Sequence, residues 1–392
     1  MQVNFPISSN LVKLSEALLK EGDEIRIIGG AVRNFLLKLP LSDIDIACKY
    51  QPEETLKILQ SNNIKAIPTG IKYGTITAVI NGQPFEITSL RADIENYGRH
   101  CQVDFIEDYK EDAKRRDFTI NAMSIDFKGN LYDYFNGIKD LKDGLIRFIG
   151  DPSQRVSEDY LRILRLFRFY CFYGKKIDPA SLGAALKDSS FLATISKERI
   201  RQELLKILQY QQLSRIVECL KIMQQVNEVV FFDQFSLEKL EDFSQFYQKN
   251  QKNLPFVTNY LMILAILIEK NSNLLKILTK NLVLTKKEQK YLKNYLKYRN
   301  LTIKSDKIDI FEAILDNDKL QVIEFLTINQ AIDRNYNDFS VKINNLNKLT
   351  LPAFPIKGQD LINEGFSSSK IGIELKRRRK IWLESEVGNI TL

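Results

Sequence analysis

The sequence predicts an α+β protein, with a head of mixed strands and helices followed by a body that is almost wholly helical. Two patterns and one size argument predict it. Over roughly the first 130–140 residues, short β-rich stretches alternate with helical ones, whereas after Gly150 apolar residues recur almost everywhere at helical spacing. Strands first and helices later is the order of an α+β protein rather than of alternating βα units. At 392 residues the chain has room for about two to four domains.

The elements follow in order. A helical repeat over residues 9–21 stops at Gly22, and Glu24–Ile28 reads as a short strand running into Gly29-Gly30. Ala31–Lys38 opens a helix, Ser42–Ala47 alternates polar and apolar like a strand, and residues 52–62 are helical again. Residues 73–80 and 84–90 are β-rich and separated by Asn81-Gly82, the signature of a hairpin turn. Residues 91–105 are polar and without period, so a loop is expected there, and a further strand pair is expected at 121–127 and 131–135 around Lys128-Gly129-Asn130. Helical spacing then appears at 157–173, 197–210, 212–225, 257–270, 272–279, 285–299 and 308–316, with polar connectors at 300–310 and 335–350. There is no internal repeat and no low-complexity tract.

Composition excludes several classes of function. The chain is 44% hydrophobic and 27% charged, an ordinary globular balance. No stretch approaches the roughly 18–20 apolar residues of a membrane span, and no basic segment followed by an apolar run marks the N-terminus. A cytoplasmic protein with no membrane partner is expected. Cys48, Cys101, Cys171 and Cys219 lie far apart, without the spacing of a zinc or redox motif. His100 is the one histidine, so multi-histidine metal sites are excluded, and any metal must be held mainly by carboxylates, which favours Mg²⁺ or Mn²⁺. The net charge of +8 suits a polyanionic partner and equally suits solvated lysines.

The residues with chemistry begin at Asp43-Ile44-Asp45. On a strand, positions i and i+2 share a face, so the two carboxylates lie together while Ile44 and Ile46 turn to a core. Two such carboxylates repel each other unless a cation lies between them. Glu86, in the expected neighbouring strand, is a third candidate carboxylate. Alone, the pair is also what a solvated strand end presents. Gly29-Gly30, between a strand and a helix, lets backbone N–H groups approach phosphates, and Arg33 in the first helical turn can clamp them.

GGAVRN and SDIDIA, then KRRDFTINA, then SEDYLRILRLFRF together resemble, in order and spacing over about residues 25–210, the bacterial tRNA nucleotidyltransferase/poly(A) polymerase family, in particular class II CCA-adding enzymes. LVLTKKEQKYL and FPIKGQDLINEGF are similar to later family segments. The resemblance implies a polymerase-β-like nucleotidyltransferase head over 1–140, a helical neck over 141–210 that recognises the base, a helical body over 211–300 and a tRNA-binding tail over 301–392. By it, Asp43 and Asp45 hold catalytic metal, and Gly30 and Arg33 bind the nucleotide's phosphates. Arg116 contacts the nucleotide, Asp117 its ribose, and Arg115 stands nearby. Asp159 and Arg162 read the base, while Arg165 and Arg168 assist nucleotide binding. The implied partners are CTP, ATP and the 3′ end of tRNA.

Chemistry agrees with this assignment. A carboxylate accepts from the exocyclic amine of C or A, and a guanidinium donates to ring nitrogen or carbonyl acceptors, whereas U and G offer a carbonyl where Asp159 needs an amine. If Asp159 and Arg162 share one helix at i and i+3, they are neighbours, and a surface ion pair is the competing interpretation.

Asn34 stands where the family usually has Asp, which suggests tuning rather than loss of activity. Residues 91–105 correspond to the family's flexible loop that accompanies the switch from CTP to ATP and is typically absent from CC-adding members. Tyr97 stands there where a relative would often show an acid. The basic GRRF-like stretch of poly(A) polymerases is replaced by GIKYGTITAV, and one histidine cannot furnish an HD-domain metal site. For RNA contact, Lys286, Lys290, Lys293 and Lys297 make a helical stripe, and Arg377 and Arg378 lie within Lys376–Lys380 next to Trp382. Three readings stand: CCA addition, poly(A) or partial CC- or A-addition, and an RNA-binding protein with weak catalysis.

Overall fold

The computed structural model describes residues 1–19, 24–41, 43–97, 100–225, 237–268, 272–333, 339–350 and 353–387. The chain divides into two compact units, the first built on Met1–Glu203 and the second on Leu204–Gln224 and the chain from 237 onward.

The first unit opens with α1 (Ser9–Leu18), β1 (Ile25–Ile28), α2 (Gly30–Leu36), β2 (Asp45–Cys48), α3 (Pro52–Ser61), β3 (Lys65–Gly70), β4 (Thr75–Ile80) and β5 (Gln83–Ser89). It continues through β6 (Arg91–Tyr97), β7 (His100–Phe105), α4 (Tyr109–Lys114), β8 (Ser124–Asp126), β9 (Leu131–Tyr132), α5 (Gly137–Asp143) and β10 (Leu145–Ile146). Then come α6 (Pro152–Glu158), α7 (Leu161–Tyr173), β11 (Lys176–Ile177), α8 (Pro179–Lys187) and α9 (Lys197–Leu208), of which the residues from Leu204 belong to the second unit.

Seven strands form one mixed sheet in the order β3-β4-β5-β2-β1-β8-β9. Only β2 and β5 pair in parallel within it. Leu11, Leu14 and Leu18 of α1 and Ile58 and Leu59 of α3 cover one face, burying Ile46, Ile76, Phe85 and Ile87. Ile44 packs against the same cluster. The apolar residues beside the two aspartates therefore do turn to a core, and Asp45 is left on the opposite face. The strand expected from Ser42 begins only at Asp45, with Asp43 exposed before it, and Ser42 lies outside the described residues. The pair lies at the start of β2 rather than on one strand face, because pairing with β1 starts at Ile28↔Asp45.

The hairpin at Asn81-Gly82 forms as expected, with both residues at positive φ (+49° and +80°), the geometry of a tight two-residue turn. The expected loop at 91–105 is instead an antiparallel hairpin of β6 and β7, with Tyr97 opposite His100 and a register shift between Asp93 and Glu95. Its polar sequence misleads because a two-stranded ribbon can be polar on both faces. The helix expected over 157–173 is broken: α6 ends at Glu158, Asp159 is extended, and α7 starts at Leu161. Asp159 and Arg162 are therefore not one helical turn apart on a single helix.

The second unit contains α10 (Leu213–Met223), α11 (Leu237–Asn250), α12 (Tyr260–Ile268), α13 (Ser272–Asn281), α14 (Lys286–Tyr298), α15 (Lys307–Asp316) and α16 (Lys319–Ile332). It ends with α17 (Phe339–Lys348), α18 (Gly358–Asn363) and α19 (Ser368–Trp382). α12 is buried on all sides from Met262 to Ile268, which is why it has no polar face in the sequence. α14 starts in a reciprocal capping box between Thr285 and Glu288. Residues 335–350, expected to be a connector, include α17, which buries Phe339, Ile343 and Leu346 at helical spacing. Among the described residues no helix is long and apolar enough to cross a membrane.

Candidate active site

The antiparallel pairing of β1 with β2 places Ile28 opposite Asp45, so the Gly29-Gly30 turn leaves the sheet directly beside that carboxylate. Gly29 has φ +67° and ψ −123°, a backbone region that side chains disfavour. A Cβ there would stand 3.1 Å from Arg116 Nη1. The glycine therefore lets Arg116 close over the turn.

These groups line a cavity of about 450 Å³ within the first unit. The head contributes Gly29, Gly30, Arg33, Asp45, Arg116, Asp117 and Asn121. The segment from the α6–α7 break onward contributes Asp159, Leu161, Arg162, Arg165, Phe169 and Arg199. Thus eight of the expected nucleotide-binding residues and one expected metal ligand share one space. Arg115 and Arg168, expected with them, do not line it, and neither do Asp43 and Glu86. Asn121, Leu161, Phe169 and Arg199 are members that motif reading missed. Asn121 and Phe169 lie inside the quoted motifs, one turn from named residues, whereas Arg199 has no local signal because only tertiary folding brings it there.

The cavity wall is preorganised. Asp117 accepts from the Phe118 N–H (2.9 Å), Asn121 Nδ2 (3.0 Å) and Arg165 Nε (2.8 Å). Burial alone would raise its pKa, but the Arg165 charge and the Asn121 and Arg165 hydrogen bonds outweigh this and hold it at about 2. It is an anion throughout the neutral range. Arg33 is 7% exposed, donates to Asn121 Oδ1 (2.5 Å), Asn34 Oδ1 (3.0 Å) and the Tyr173 hydroxyl (2.9 Å), and lies over the Tyr173 ring at 4.1 Å. Burial lowers its pKa. These hydrogen-bond partners are neutral, so its charge is compensated only at longer range and is suited to a buried anion. Asn34 uses both ends of its amide, accepting from Arg33 and donating to the Pro40 carbonyl at 3.2 Å. An aspartate could not donate the second bond.

Asp112, outside the cavity, anchors both arginines of the RRDFTINA segment. Its Oδ1 accepts from Arg115 Nε and Nη2 (2.9 and 2.7 Å), and its Oδ2 from Arg116 Nη2 (3.2 Å). Arg168 forms a close ion pair with Glu203 (Nε–Oε2 2.7 Å), not aligned as a hydrogen bond, and sits 4.7 Å from the Phe169 ring centre.

Asp159 and Arg162 have different partners. Arg199 Nη2 donates to Asp159 Oδ2 at 2.7 Å, and Arg162 bonds to Glu158 and to the Arg155 carbonyl.

Asp45 pairs in register with Glu86 across the parallel β2–β5 junction. Burial raises the Asp45 pKa, repulsion from Glu86 and Asp43 adds to this, and Arg116 opposes it. A divalent cation would relieve that repulsion, so the donor chemistry fits one. Among the described residues no group of three His, Cys, Asp or Glu side chains could hold a metal. Glu86 is the charged neighbour of Asp45 on the adjoining strand. Two carboxylates such as Asp43 and Asp45 would leave the remaining positions of an ion to phosphate oxygens and water.

Comparison with known proteins bears on the same segments. Residues 25–147 match the family domain described as Poly A polymerase head domain, and 174–223 match that described as the probable RNA and SrmB-binding site of polymerase A. The human CCA tRNA nucleotidyltransferase 1, mitochondrial, is 35% identical over 96% of this chain and 87% of its own length. The CCA-adding enzyme of Ligilactobacillus salivarius is 40% identical over 49% of this chain and 47% of its own. The crystal structure of the Bacillus stearothermophilus CCA-adding enzyme in complex with CTP shares the fold, with TM-score 0.76 and 22% identity over 97% of this chain and 94% of that one.

A mixed sheet carrying a Gly-Gly turn and an acidic strand end, continued by helices, is a polymerase-β-like nucleotidyltransferase head with a helical remainder. The chain belongs to the tRNA nucleotidyltransferase/poly(A) polymerase family and is one of its nucleotidyltransferase enzymes.

Proposed function

We propose that this chain adds C, C and A to the 3′ end of tRNA from CTP and ATP, without a nucleic-acid template. The observation that carries the proposal is the shared cavity. Asp159 and Arg162, with opposite hydrogen-bonding capacity, line the same space as Gly29, Gly30, Arg33 and Arg116. The phosphate end and the base end of one nucleotide are thereby both provided for. The relatives named as CCA tRNA nucleotidyltransferase and CCA-adding enzyme support the same choice.

In the reaction, the RNA 3′-hydroxyl attacks the α-phosphate and pyrophosphate leaves. Arg33, Arg116 and the N-terminus of α2 bind the triphosphate, and Asp117, held by Arg165, faces the ribose. Asp159 accepts the exocyclic amine of C or A while Arg162 donates to the ring. Asp43 and Asp45 would hold a divalent cation, here proposed as Mg²⁺ with Mn²⁺ as its substitute, which lowers the hydroxyl's pKa and neutralises developing charge. The division into head, neck, body and tail assigns chemistry to the first, base choice to the second and tRNA contact to the last two.

We place the enzyme in the cytoplasm, in keeping with Cys48, Cys171 and Cys219 being buried thiols. The human relative carries a mitochondrial designation, so fractionation of the source cells is the direct check.

The test of function uses tRNA lacking its 3′ CCA, incubated with CTP, ATP or both. Ordered extension that stops after three nucleotides supports CCA addition. A long A tail supports poly(A) synthesis, and no extension overturns the enzymatic assignment. Asp45→Ala should lose transfer by at least about a thousandfold while still binding tRNA, because charge stabilisation at the reacting centre is lost. Retained transfer would remove Asp45 from the metal site.

A further inference from the structure

Asp159 faces the cavity with its carboxylate already oriented. Arg199 Nη2 donates to Oδ2 at 2.7 Å, and the Leu161 N–H donates to Oδ1 at 3.2 Å. The two side chains are 20% and 15% exposed for Asp159 and Arg199. Arg199 comes from the first turn of α9, 40 residues along the chain, so the contact forms only when the unit folds. Arg162 is close in the chain, its N–H bonding to the Asp159 carbonyl at 2.9 Å, yet its guanidinium is held by Glu158 and the Arg155 carbonyl. The acceptor and the donor that face the base are thus held by separate partners.

That separation has a chemical consequence. A carboxylate oxygen has two acceptor directions. Arg199 occupies one on Oδ2, which fixes the carboxylate plane and leaves the remaining directions defined. Without that contact the carboxylate can turn about its side-chain torsions toward the other cations of the cavity, Arg162 among them. A pair of base-reading groups bonded to each other has fewer acceptor and donor directions left for a base, and those are turned away from it.

We infer that Arg199 is a specificity-determining positioning residue, which holds the Asp159 carboxylate toward the exocyclic amine of C or A and away from Arg162. The inference rests on the proposed assignment of Asp159 and Arg162 as base readers. Arg199 acts through Asp159, to which it donates. Its loss acts on nucleotide selection more than on the chemical step.

The experiment measures steady-state kinetics of the full chain on tRNA lacking its 3′ CCA, with CTP, ATP, UTP and GTP supplied singly. Arg199→Gln should raise KM for CTP about tenfold, with kcat changed by less than about threefold, and should lower the CTP-over-UTP preference about tenfold. Arg199→Lys keeps a charged donor and should recover part of that preference. In an Asp159→Ala background, Arg199→Gln should add no further loss of selectivity, because a group that acts through Asp159 has nothing left to position. Calorimetric binding of CTP and UTP gives the same ratio independently of turnover. Wild-type KM and preference in Arg199→Gln, or an additive loss in the double variant, would overturn the inference while leaving CCA addition intact. If the unaltered chain fails to extend tRNA at all, the functional assignment fails, and the inference with it.

Discussion

At the scale of single residues, the two glycines of the turn have different duties. Gly29 is at φ +67° and ψ −123°, its N–H donates to the Met123 carbonyl at 3.2 Å, and a Cβ on it would crowd Arg116. Gly30 is the first residue of α2, and a Cβ there meets only Arg33 Nη2, at 3.6 Å. Backbone strain of this kind costs about 1–3 kcal/mol, and displacement of Arg116 adds to it. Gly29→Ala should therefore lower the melting temperature by several degrees and raise KM for the nucleotide. Gly30→Ala should leave the melting temperature unchanged or higher, since alanine favours a helix by up to about 1 kcal/mol over glycine. Thermal denaturation of the two variants side by side checks the contrast, and equal destabilisation would refute it.

At the scale of elements, legibility followed periodicity. β1, α2, α3 and the Asn81-Gly82 hairpin were readable because strand alternation, helical spacing and turn chemistry all agreed in each. The break between α6 and α7 was not readable. SEDYLRILRLFRF has continuous helical spacing, and the interruption at Asp159 becomes visible only once Arg199 and the Leu161 N–H take the carboxylate. Base readers expected on one helix face thus stand on either side of a break, where they can be held apart. α16 was missed because its buried face includes Glu324, Asn329 and Gln330, and Glu324 accepts from the Tyr291 hydroxyl at 2.6 Å. The β6–β7 ribbon was missed for a different reason: nothing in 91–105 marks an inside and an outside. The family resemblance assigns that segment to the change from CTP to ATP. Replacing residues 93–103 with a short Gly-Ser linker should leave CC addition within about threefold of normal and abolish the final A. The replaced residues lie outside the cavity lining, so the phosphate and base contacts for CTP stay in place. Sequencing the 3′ ends of extended tRNA reads the outcome, and full CCA ends would remove the ribbon from the switch.

At the scale of the whole molecule, a net charge of +8 says less than the availability of each cation. Lys286, Lys290 and Lys293 are exposed on α14, opposite its buried face of Glu288, Tyr291, Leu292 and Tyr295. Lys297, the fourth of the stripe, bonds to Asp316 and the Tyr298 hydroxyl. The α19 cluster is more heavily compensated: Arg377 pairs with Glu374, Arg378 with Glu374 and Glu364, and Arg379 with Asp316. A cation already paired with a carboxylate releases fewer counterions on meeting a phosphate, because it must first give up its partner. The two basic segments, alike in sequence, therefore differ as RNA contacts. Changing Lys286, Lys290 and Lys293 together to Gln should weaken tRNA binding and reduce the slope of log affinity against log salt by about 2, at about 0.7–0.9 per phosphate contact. Changing Arg377 and Arg378 to Gln should reduce it by less than about 1. Filter binding of tRNA across a salt series gives both slopes. If the α19 variant shows the larger change, tRNA meets that helix instead, and its binding must break the ion pairs to Glu364 and Glu374.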